Sequence, residues 1–269
     1  MSVTDVTFAG SIPTIYEKYL GPILLEPYAE DLAGRLRQIS QGRVLETAAG
    51  TGIVTRAMVK SLPPSVEIVA IDLNQAMLDL AAARPETPRV TWRQADAQNL
   101  PFENAAFDAV VCQLGVMFFP DKISAYREAL RVLKPDGFFV FNVWDRLDAN
   151  PVSRVVAEAV ANLFPEDPPR FAERIPFGYS NPDRIRADLQ QAGFGQIQIE
   201  TVEKVSRIPS PRYAAIGFCQ GTPLRSEIEA RAPDRLDEIT DKAAEALAAR
   251  FGRSSFENCM RAIVVTARH

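Results

Sequence analysis

Histidine and cysteine are scarce in this chain of 269 residues, and their scarcity argues against several kinds of site. The one histidine is His269, so a Ser-His-Asp or Cys-His nucleophilic site and a histidine-based metal centre are not expected. The three cysteines, Cys112, Cys219 and Cys259, are far apart and form no CxxC pair. We therefore expect reduced thiols in a cytoplasmic protein, with neither a disulfide framework nor a metal.

The chain also lacks a basic excess and a long apolar run. Lys and Arg number 30 against 34 Asp and Glu, and a pI near 5.3 argues against nucleic acid as a partner. The most apolar stretches, residues 109–119 and 137–144, are shorter than the ~20 residues that a membrane span needs. The first residues, MSVTDVTFAGSIPT, do not resemble a signal peptide. Hydrophobic residues still make up 47%, enough for a sizeable core.

Strands and helices alternate through the first half of the sequence. Apolar runs predict strands at residues 43–47, 66–72, 90–94, 106–113 and 138–144. Helices are predicted at residues 12–20, 25–39, 53–61, 75–83 and 123–133, with Gly21-Pro22 as a break and Lys134-Pro135-Asp136-Gly137 as a turn. Near-continuous apolar strands in this rhythm indicate a parallel sheet that is covered on both faces.

The rhythm breaks in the second half of the sequence. Helices are predicted at residues 151–163, 183–192, 212–220, 224–230 and 234–251, and strands at residues 196–201 and 261–267. Residues 165–182 are rich in proline and aromatic side chains, too apolar for a solvated linker. We expect this irregular segment to fold over the functional site.

The most informative stretch is VLETAAGTG, residues 44–52. An apolar strand ends at Glu46, a loop of small residues follows, and a helix begins at about Ile53. Small residues let a ligand lie against the backbone, and the helix N-terminus supplies free N–H groups. The alternative is a tight strand-to-helix turn. We expect the loop to lie at the surface, so Gly52→Val should abolish ligand binding with little loss of stability.

Two acidic residues follow the next two predicted strands. Asp72 ends VEIVAID, 20 residues after Gly52, a spacing that suits a carboxylate on ribose hydroxyls. Asp96, followed by Ala97, can accept a hydrogen bond from an adenine amino group. The alternatives are a helix cap for Asp72 and a turn residue for Asp96.

Four stretches together resemble the class I S-adenosylmethionine-dependent methyltransferases, most of all the type 11 and ubiquinone/menaquinone biosynthesis-like group of small-molecule enzymes. They are VLETAAGTG, EIVAIDLNQAMLDLA, VTWRQADAQNLPFENAAFDAVVCQLGVMFF and ALRVLKPDGFFVFNVW, and they cover residues 44–144 in the family's order. The family usually has Glu-x-Gly-x-Gly-x-Gly in the first loop, where this chain has Ala48 in place of the first glycine. We expect the alanine to be tolerated with a negative φ.

The resemblance implies an α/β, Rossmann-like fold with a seven-stranded, mostly parallel sheet of order 3-2-1-4-5-7-6, strand 7 antiparallel, and a helical lid. Residues 1–42 would form N-terminal helices that close over the cofactor. Residues 43–145 would form the S-adenosylmethionine-binding core. Residues 146–269 would add lid insertions and the last strands of the same domain.

The resemblance also implies the cofactor-binding residues. The loop after the first strand would cradle the methionine portion, Asp72 would hold the ribose, and the residues that follow strands two to four would contact the adenine and the sulfonium. Tyr16 and Tyr19 would approach the cofactor's carboxylate, or would instead pack one helix face against the core. The full set is Tyr16, Tyr19, Glu46, Thr47, Ala48, Gly50, Gly52, Asp72, Leu73, Met77, Asp96, Ala97, Gln98, Gln113 and Leu114.

Methyl transfer from a sulfonium is a direct in-line displacement, so the protein's main task is orientation, and S-adenosylhomocysteine is the product. No histidine is placed to act as a base, and we assign no catalytic residue. The apolar lid favours a phenol, a quinone precursor or a polyketide-like acceptor. The walls of the acceptor pocket are predicted from aromatic residues that can equally be core: Phe118, Trp144, Phe177, Tyr179 and Phe218.

Three other functions compete with this interpretation. A nicotinamide-dependent oxidoreductase shares the sheet and the acidic residue, but its motif places a third glycine where this chain has Thr55. An RNA or protein methyltransferase is disfavoured by the acidic charge balance. A non-catalytic protein that binds S-adenosylmethionine would use the same loop. We expect a monomer or homodimer acting on a small molecule, with no nucleic acid partner and no membrane span.

Overall fold

A seven-stranded sheet of order β3-β2-β1-β4-β5-β7-β6 organises the computed structural model, which describes Asp5 and residues 8–269. The predicted strand order is confirmed. The strands are β1 (Gly42–Glu46), β2 (Val66–Asp72), β3 (Val90–Gln94), β4 (Phe107–Gln113), β5 (Leu133–Trp144), β6 (Gln196–Ile208) and β7 (Phe256–Arg268).

The first five strands are parallel, and β7 runs antiparallel to β5, with Phe139 opposite Ala267. The central strands are buried along most of their length, as their apolar runs predict for a sheet covered on both faces. Strand β6, at the edge, alternates between exposed and partly buried positions. In parallel register, the carboxyl ends of β1, β2 and β4 meet at one edge of the sheet.

Most of the predicted helices are present, with ends that shift by at most four residues. They are α1 (Ile12–Ile15), α2 (Glu26–Arg35), α3 (Ile53–Ser61), α4 (Gln75–Ala82), α5 (Lys122–Val132), α6 (Pro151–Asn162), α7 (Phe171–Arg174), α8 (Pro182–Ala192), α9 (Pro211–Gln220), α10 (Leu224–Arg231) and α11 (Leu236–Phe251). Helix α8 ends at Gly193, whose φ of 109° places it in the left-handed region that favours glycine.

The predicted break at Gly21-Pro22 is wrong. A π-helix, Tyr16–Leu25, joins α1 to α2 and contains Pro22. The Glu26 N–H donates to the Gly21 carbonyl five residues back. Proline normally ends a helix because its ring meets the carbonyl four residues back. The wider π turn accommodates the ring, so the chain stays helical.

The prediction that residues 134–137 form a turn before the fifth strand is also wrong. These residues lie within β5, where the pairing shifts from Leu133 opposite Phe107 to Phe138 opposite Ala109. The segment is thus a bulge in a longer strand. Strands β6 and β7 are likewise longer than predicted, because sheet pairing extends them through polar positions that carry no apolar signal.

The chain divides into two compact units. The sheet unit comprises Tyr28–Trp144, Tyr179–Val202 and Ala262–His269. Its core holds fully buried aromatic side chains: the Tyr126 ring stacks 5.5 Å from that of Phe141, which lies 4.8 Å from Phe139. The predicted domain boundaries at residues 42 and 145 stay predictions.

The helical unit comprises the described residues up to Pro27, Asp145–Gly178 and Glu203–Arg261. Helix α9 packs closely on the π-helix, because a Cβ at Gly217 would lie 2.5 Å from Leu20 Cδ2. Arg174, in the middle of the proline-rich segment, forms ion pairs with Asp5 and with Glu227 of α10. Among the described residues, none of the helices has the length and apolar character to cross a membrane.

Candidate functional site

The loop between β1 and α3 is held at the carboxyl edge of the sheet by its two neighbouring strands. The Thr47 N–H donates to the Val111 carbonyl on β4 at 2.9 Å. The Ala49 N–H donates to the Ile71 carbonyl on β2 at 2.8 Å. Both bonds continue the sheet pairing for a few residues past Glu46, and the chain then turns sharply into α3.

Three residues of this loop have a positive φ: Ala48 at 53°, Gly50 at 54° and Gly52 at 78°. The expectation of a negative φ at Ala48 is therefore wrong. Alanine in the left-handed region is strained by roughly 1–2 kcal/mol relative to glycine. Glycine, which is usual at this position in the family that the chain resembles, would remove that strain. With alanine, the chain keeps the same loop geometry and loses stability.

Gly52 is buried, which contradicts the expectation that the loop lies wholly at the surface. A Cβ there would lie 2.8 Å from Trp92 Cη2 and 3.2 Å from Ala81 Cβ. Valine at this position would destabilise the fold whatever it did to a ligand. A Cβ at Gly50, in contrast, would have nothing within 4 Å, so Gly50 is the loop glycine beside open space.

Glu46, at the end of β1, is buried with 1% of its surface exposed. The Thr55 hydroxyl on α3 donates to Glu46 Oε2. Burial is the largest influence on this carboxyl and raises its pKa to about 8, with a smaller contribution from the charge of Asp72. In the sequence Thr55 stands out only as the residue in place of a third glycine, whereas its position in the first turn of α3 brings its hydroxyl to Glu46 at the end of β1.

Asp72 ties the end of β2 to the loop. Its Oδ2 accepts from the Gly50 N–H at 2.8 Å, and its Oδ1 accepts from the Asn74 N–H at 2.8 Å. Burial raises the pKa of this carboxyl, and the N–H groups of Asn74 and Gly50 oppose that rise. The helix-cap alternative for Asp72 is not borne out, because the N-cap of α4 is Asn74, and its side chain makes no cap hydrogen bond. Oδ1 also accepts from the Asn74 side-chain Nδ2 at 3.4 Å. Oδ2 keeps a second lone pair, so the same carboxylate can also accept from a ligand hydroxyl.

The residues after β2 and β3 surround the same edge. Leu73 is 52% exposed although it is a large apolar residue, whereas Met77 is buried. Asp96 forms a turn in which its Oδ1 accepts from the Gln98 N–H at 2.8 Å. Ala97 is buried within that turn. The structure thus shows the turn role of Asp96, and its adenine contact stays a prediction.

After β4 the chain turns at Gln113 and Leu114, and Leu114 has a φ of 50°. This turn abuts the loop after β1, since a Cβ at Gly115 would lie 2.5 Å from Ala48 Cβ. The structure therefore brings together the predicted residues that follow β1, β2 and β4. Asn142, which holds this turn from β5, was not predicted, because nothing in the sequence separates it from other strand residues.

The two predicted tyrosines lie in the helical unit. The Tyr16 ring makes an edge contact with Phe8 at 5.8 Å, and the Tyr19 ring lies 4.8 Å from that of Tyr213. Both contacts fit the packing alternative. The roles of Tyr16 and Tyr19 at the cofactor, and the closure of residues 165–182 over it, stay predictions.

The predicted acceptor-pocket residues divide between the units. In the sheet unit, the Trp144 ring meets Tyr28 edge-on at 5.4 Å, and the Tyr179 hydroxyl donates to Asp188 at 2.7 Å. Phe118, also in this unit, is partly exposed. Phe177 and Phe218 are partly exposed residues of the helical unit. Their contact with an acceptor stays a prediction.

Comparison with known proteins identifies the family of this chain. The family described as "Methyltransferase domain" matches residues 44–137. Demethylmenaquinone methyltransferase of Lactobacillus johnsonii is 30% identical over 168 residues, 58% of this chain and 68% of that protein. The ubiquinone/menaquinone biosynthesis C-methyltransferase UbiE of Pseudomonas aeruginosa is 30% identical over 172 residues, 59% of this chain and 67% of that protein.

A solved structure shares the fold. Phosphoethanolamine N-methyltransferase 2 of Haemonchus contortus, in complex with S-adenosyl-L-methionine, matches with a TM-score of 0.60 and 18% identity, over 95% of this chain and 56% of that one. The chain belongs to the class I S-adenosylmethionine-dependent methyltransferases of the ubiquinone/menaquinone type, and S-adenosylmethionine is its cofactor.

Proposed function

We propose that this methyltransferase transfers a methyl group to a ring carbon of a quinone-type small molecule in its reduced, phenolic form. The observation that carries the proposal is the likeness over more than half of the chain to a demethylmenaquinone methyltransferase and a C-methyltransferase. When bound, S-adenosylmethionine supplies a methyl group activated by its sulfonium, which passes to the acceptor by direct displacement as the acceptor carbon loses a proton.

The residues at the carboxyl edge of the sheet fit this cofactor. The Thr51 hydroxyl is 1% exposed and has no hydrogen-bond partner among the described residues, so the loop holds an unused polar group. Gly50 borders open space, and Asp72 Oδ2 keeps a lone pair for a ribose hydroxyl. The apolar Leu73, half exposed, offers a surface on which an adenine ring can lie.

The chain's contribution to the reaction would be binding and orientation. Proximity and alignment of acceptor and methyl group can supply ~7–11 kcal/mol of the barrier reduction. Glu46 and Asp72 place two carboxyl groups near the positively charged cofactor, where Coulomb attraction favours their ionised forms. A phenolic acceptor with a pKa near 10 loses its proton to water in about one molecule in a thousand at pH 7, and this phenolate fraction can react without a histidine base.

The test is turnover with defined acceptors. Purified protein is incubated with S-adenosylmethionine and, separately, a reduced demethylated naphthoquinone, a simple phenol and phosphoethanolamine, and products are followed by mass spectrometry. We expect ring methylation of the naphthoquinone with formation of S-adenosylhomocysteine. Asp72→Ala should lose this activity, whereas the exposed control Asp79→Ala should keep it.

Two results would contradict the proposal. Methylation of phosphoethanolamine alone would move the acceptor to a charged amine. Binding of S-adenosylmethionine with no turnover of any aromatic acceptor would instead favour the non-catalytic alternative.

A further inference from the structure

The turn after β4 is strained where it faces the loop after β1. Leu114 has a φ of 50° and is buried. The left-handed region is disfavoured for a residue with a Cβ, and such a conformation persists only where its surroundings impose it. The contacts around Leu114 therefore show what imposes it.

Asn142 on β5 holds this turn through its side chain. The Leu114 N–H donates both to the Asn142 main-chain carbonyl, at 3.1 Å, and to the side-chain Oδ1, at 2.9 Å. The main-chain bond continues the parallel pairing in which Gln113 lies opposite Asn142. The side-chain bond is additional, and it depends on the residue type at position 142.

A second group supports the same turn from below. The Cys112 sulfur packs against the turn at Gly115, where an added Cβ would lie 2.8 Å from it. Gly115 in turn packs against Ala48, where an added Cβ would lie 2.5 Å from the Ala48 Cβ. The strained turn after β4 is thus packed directly on the strained loop after β1, so a shift of one must move the other.

The buried side chain of Asn142 lowers the stability of the fold. Asn142 is fully buried, and its Nδ2 has no hydrogen-bond partner among the described residues. A buried donor without a partner destabilises a protein, whereas an apolar residue of the same shape can be neutral or stabilising. Stability alone would favour leucine here, and residues that cost stability are typically retained for function.

We infer that Asn142 is a positioning residue for S-adenosylmethionine binding, which holds the Gln113–Leu114 turn against Ala48 in the conformation that the cofactor needs. It acts through Leu114 and does not itself contact the ligand, because none of its surface is exposed. The inference extends the cofactor assignment above and is independent of the acceptor.

The test is calorimetric titration of S-adenosylhomocysteine into wild type and variants, with urea denaturation of each. Asn142→Leu should bind about threefold to tenfold more weakly, the fold-change that corresponds to one net hydrogen bond, with an unchanged or raised unfolding midpoint. Asn258→Leu, the same change at a buried asparagine of β7, should leave affinity unchanged. If leucine overpacks the site, Asn142→Ala removes the same oxygen without added volume.

Rescue separates positioning from a merely structural role. Glycine adopts a positive φ without strain, so Leu114→Gly should restore most of the affinity lost in Asn142→Leu. Wild-type affinity in Asn142→Leu, or a loss of affinity that Leu114→Gly does not reduce, would overturn the inference while leaving the cofactor assignment intact. Failure of the wild type to bind S-adenosylhomocysteine would overturn both.

Discussion

Replacement of Glu46 by glutamine should remove a large part of the protein's pH-dependent stability. The carboxyl is 1% exposed, and burial raises its pKa from 4.5 to about 8. The folded state therefore binds the Glu46 proton more tightly than the unfolded chain does. Between these two pKa values, the free energy of unfolding should fall as pH rises, and it should level off above pH 8.

The magnitude follows from the two pKa values. At about 1.4 kcal/mol per pKa unit, the whole difference corresponds to about 5 kcal/mol. Much of this change falls below about pH 6, where the other carboxyl groups of the protein also titrate. Between about pH 6 and pH 8.5, Glu46 alone should lower the free energy of unfolding by about 2–3 kcal/mol. Asp72, whose pKa burial also raises, contributes in the same direction.

Urea denaturation followed by circular dichroism at pH 6.0 and 8.5 measures this difference. Glu46→Gln keeps the shape of the side chain and can accept a hydrogen bond from Thr55. Between pH 6.0 and 8.5, the free energy of unfolding of this variant should therefore fall by about 2–3 kcal/mol less than that of wild type. Glu86→Gln, at an exposed position, serves as the control and should follow wild type. Equal pH dependence in wild type and Glu46→Gln would show that Glu46 is ionised in the folded protein and would refute the reasoning.

Three further predictions concern the loop after β1 and Asp72, which holds it. Asp72→Ala should weaken S-adenosylmethionine binding at least about tenfold by calorimetry, and it should also lower the free energy of unfolding by about 1–3 kcal/mol, because two backbone N–H groups lose their acceptor. Ala48→Gly should raise the free energy of unfolding by up to about 1 kcal/mol in urea, whereas Ala49→Gly should lower it by about 0.4–1 kcal/mol. Gly52→Ala should lower the thermal midpoint more than Gly50→Ala, since both have a positive φ but only the first meets a neighbour.

Each of these predictions has an outcome that would contradict it. Unchanged affinity in Asp72→Ala would mean that Asp72 only holds the loop and does not contact the cofactor. Equal effects of glycine at positions 48 and 49 would mean that the left-handed alanine is not strained. Equal losses at Gly50 and Gly52 would mean that backbone conformation, and not contact with Trp92, limits these positions.

The sequence by itself determined the central strands and the edge at which the site lies, and its resemblance to a known family supplied the strand order. Apolar runs such as VEIVAID specify buried parallel strands, and Pro63-Pro64 and Gly193 mark helix ends through local backbone chemistry. Small residues after β1 and an acidic residue at the end of β2 are local signals too. All of these depend on neighbours within a few positions, so they can be read without coordinates.

Only the tertiary structure decided which of these residues are strained and which are buried. The positive φ of Ala48, the burial of Gly52 and the continuity of the helix through Pro22 each contradict a local expectation. Asn142 supports a turn that begins at Gln113, on a different strand. Strain and burial are set by atoms that are distant along the chain and close in space, and a linear pattern of residue types does not contain those distances.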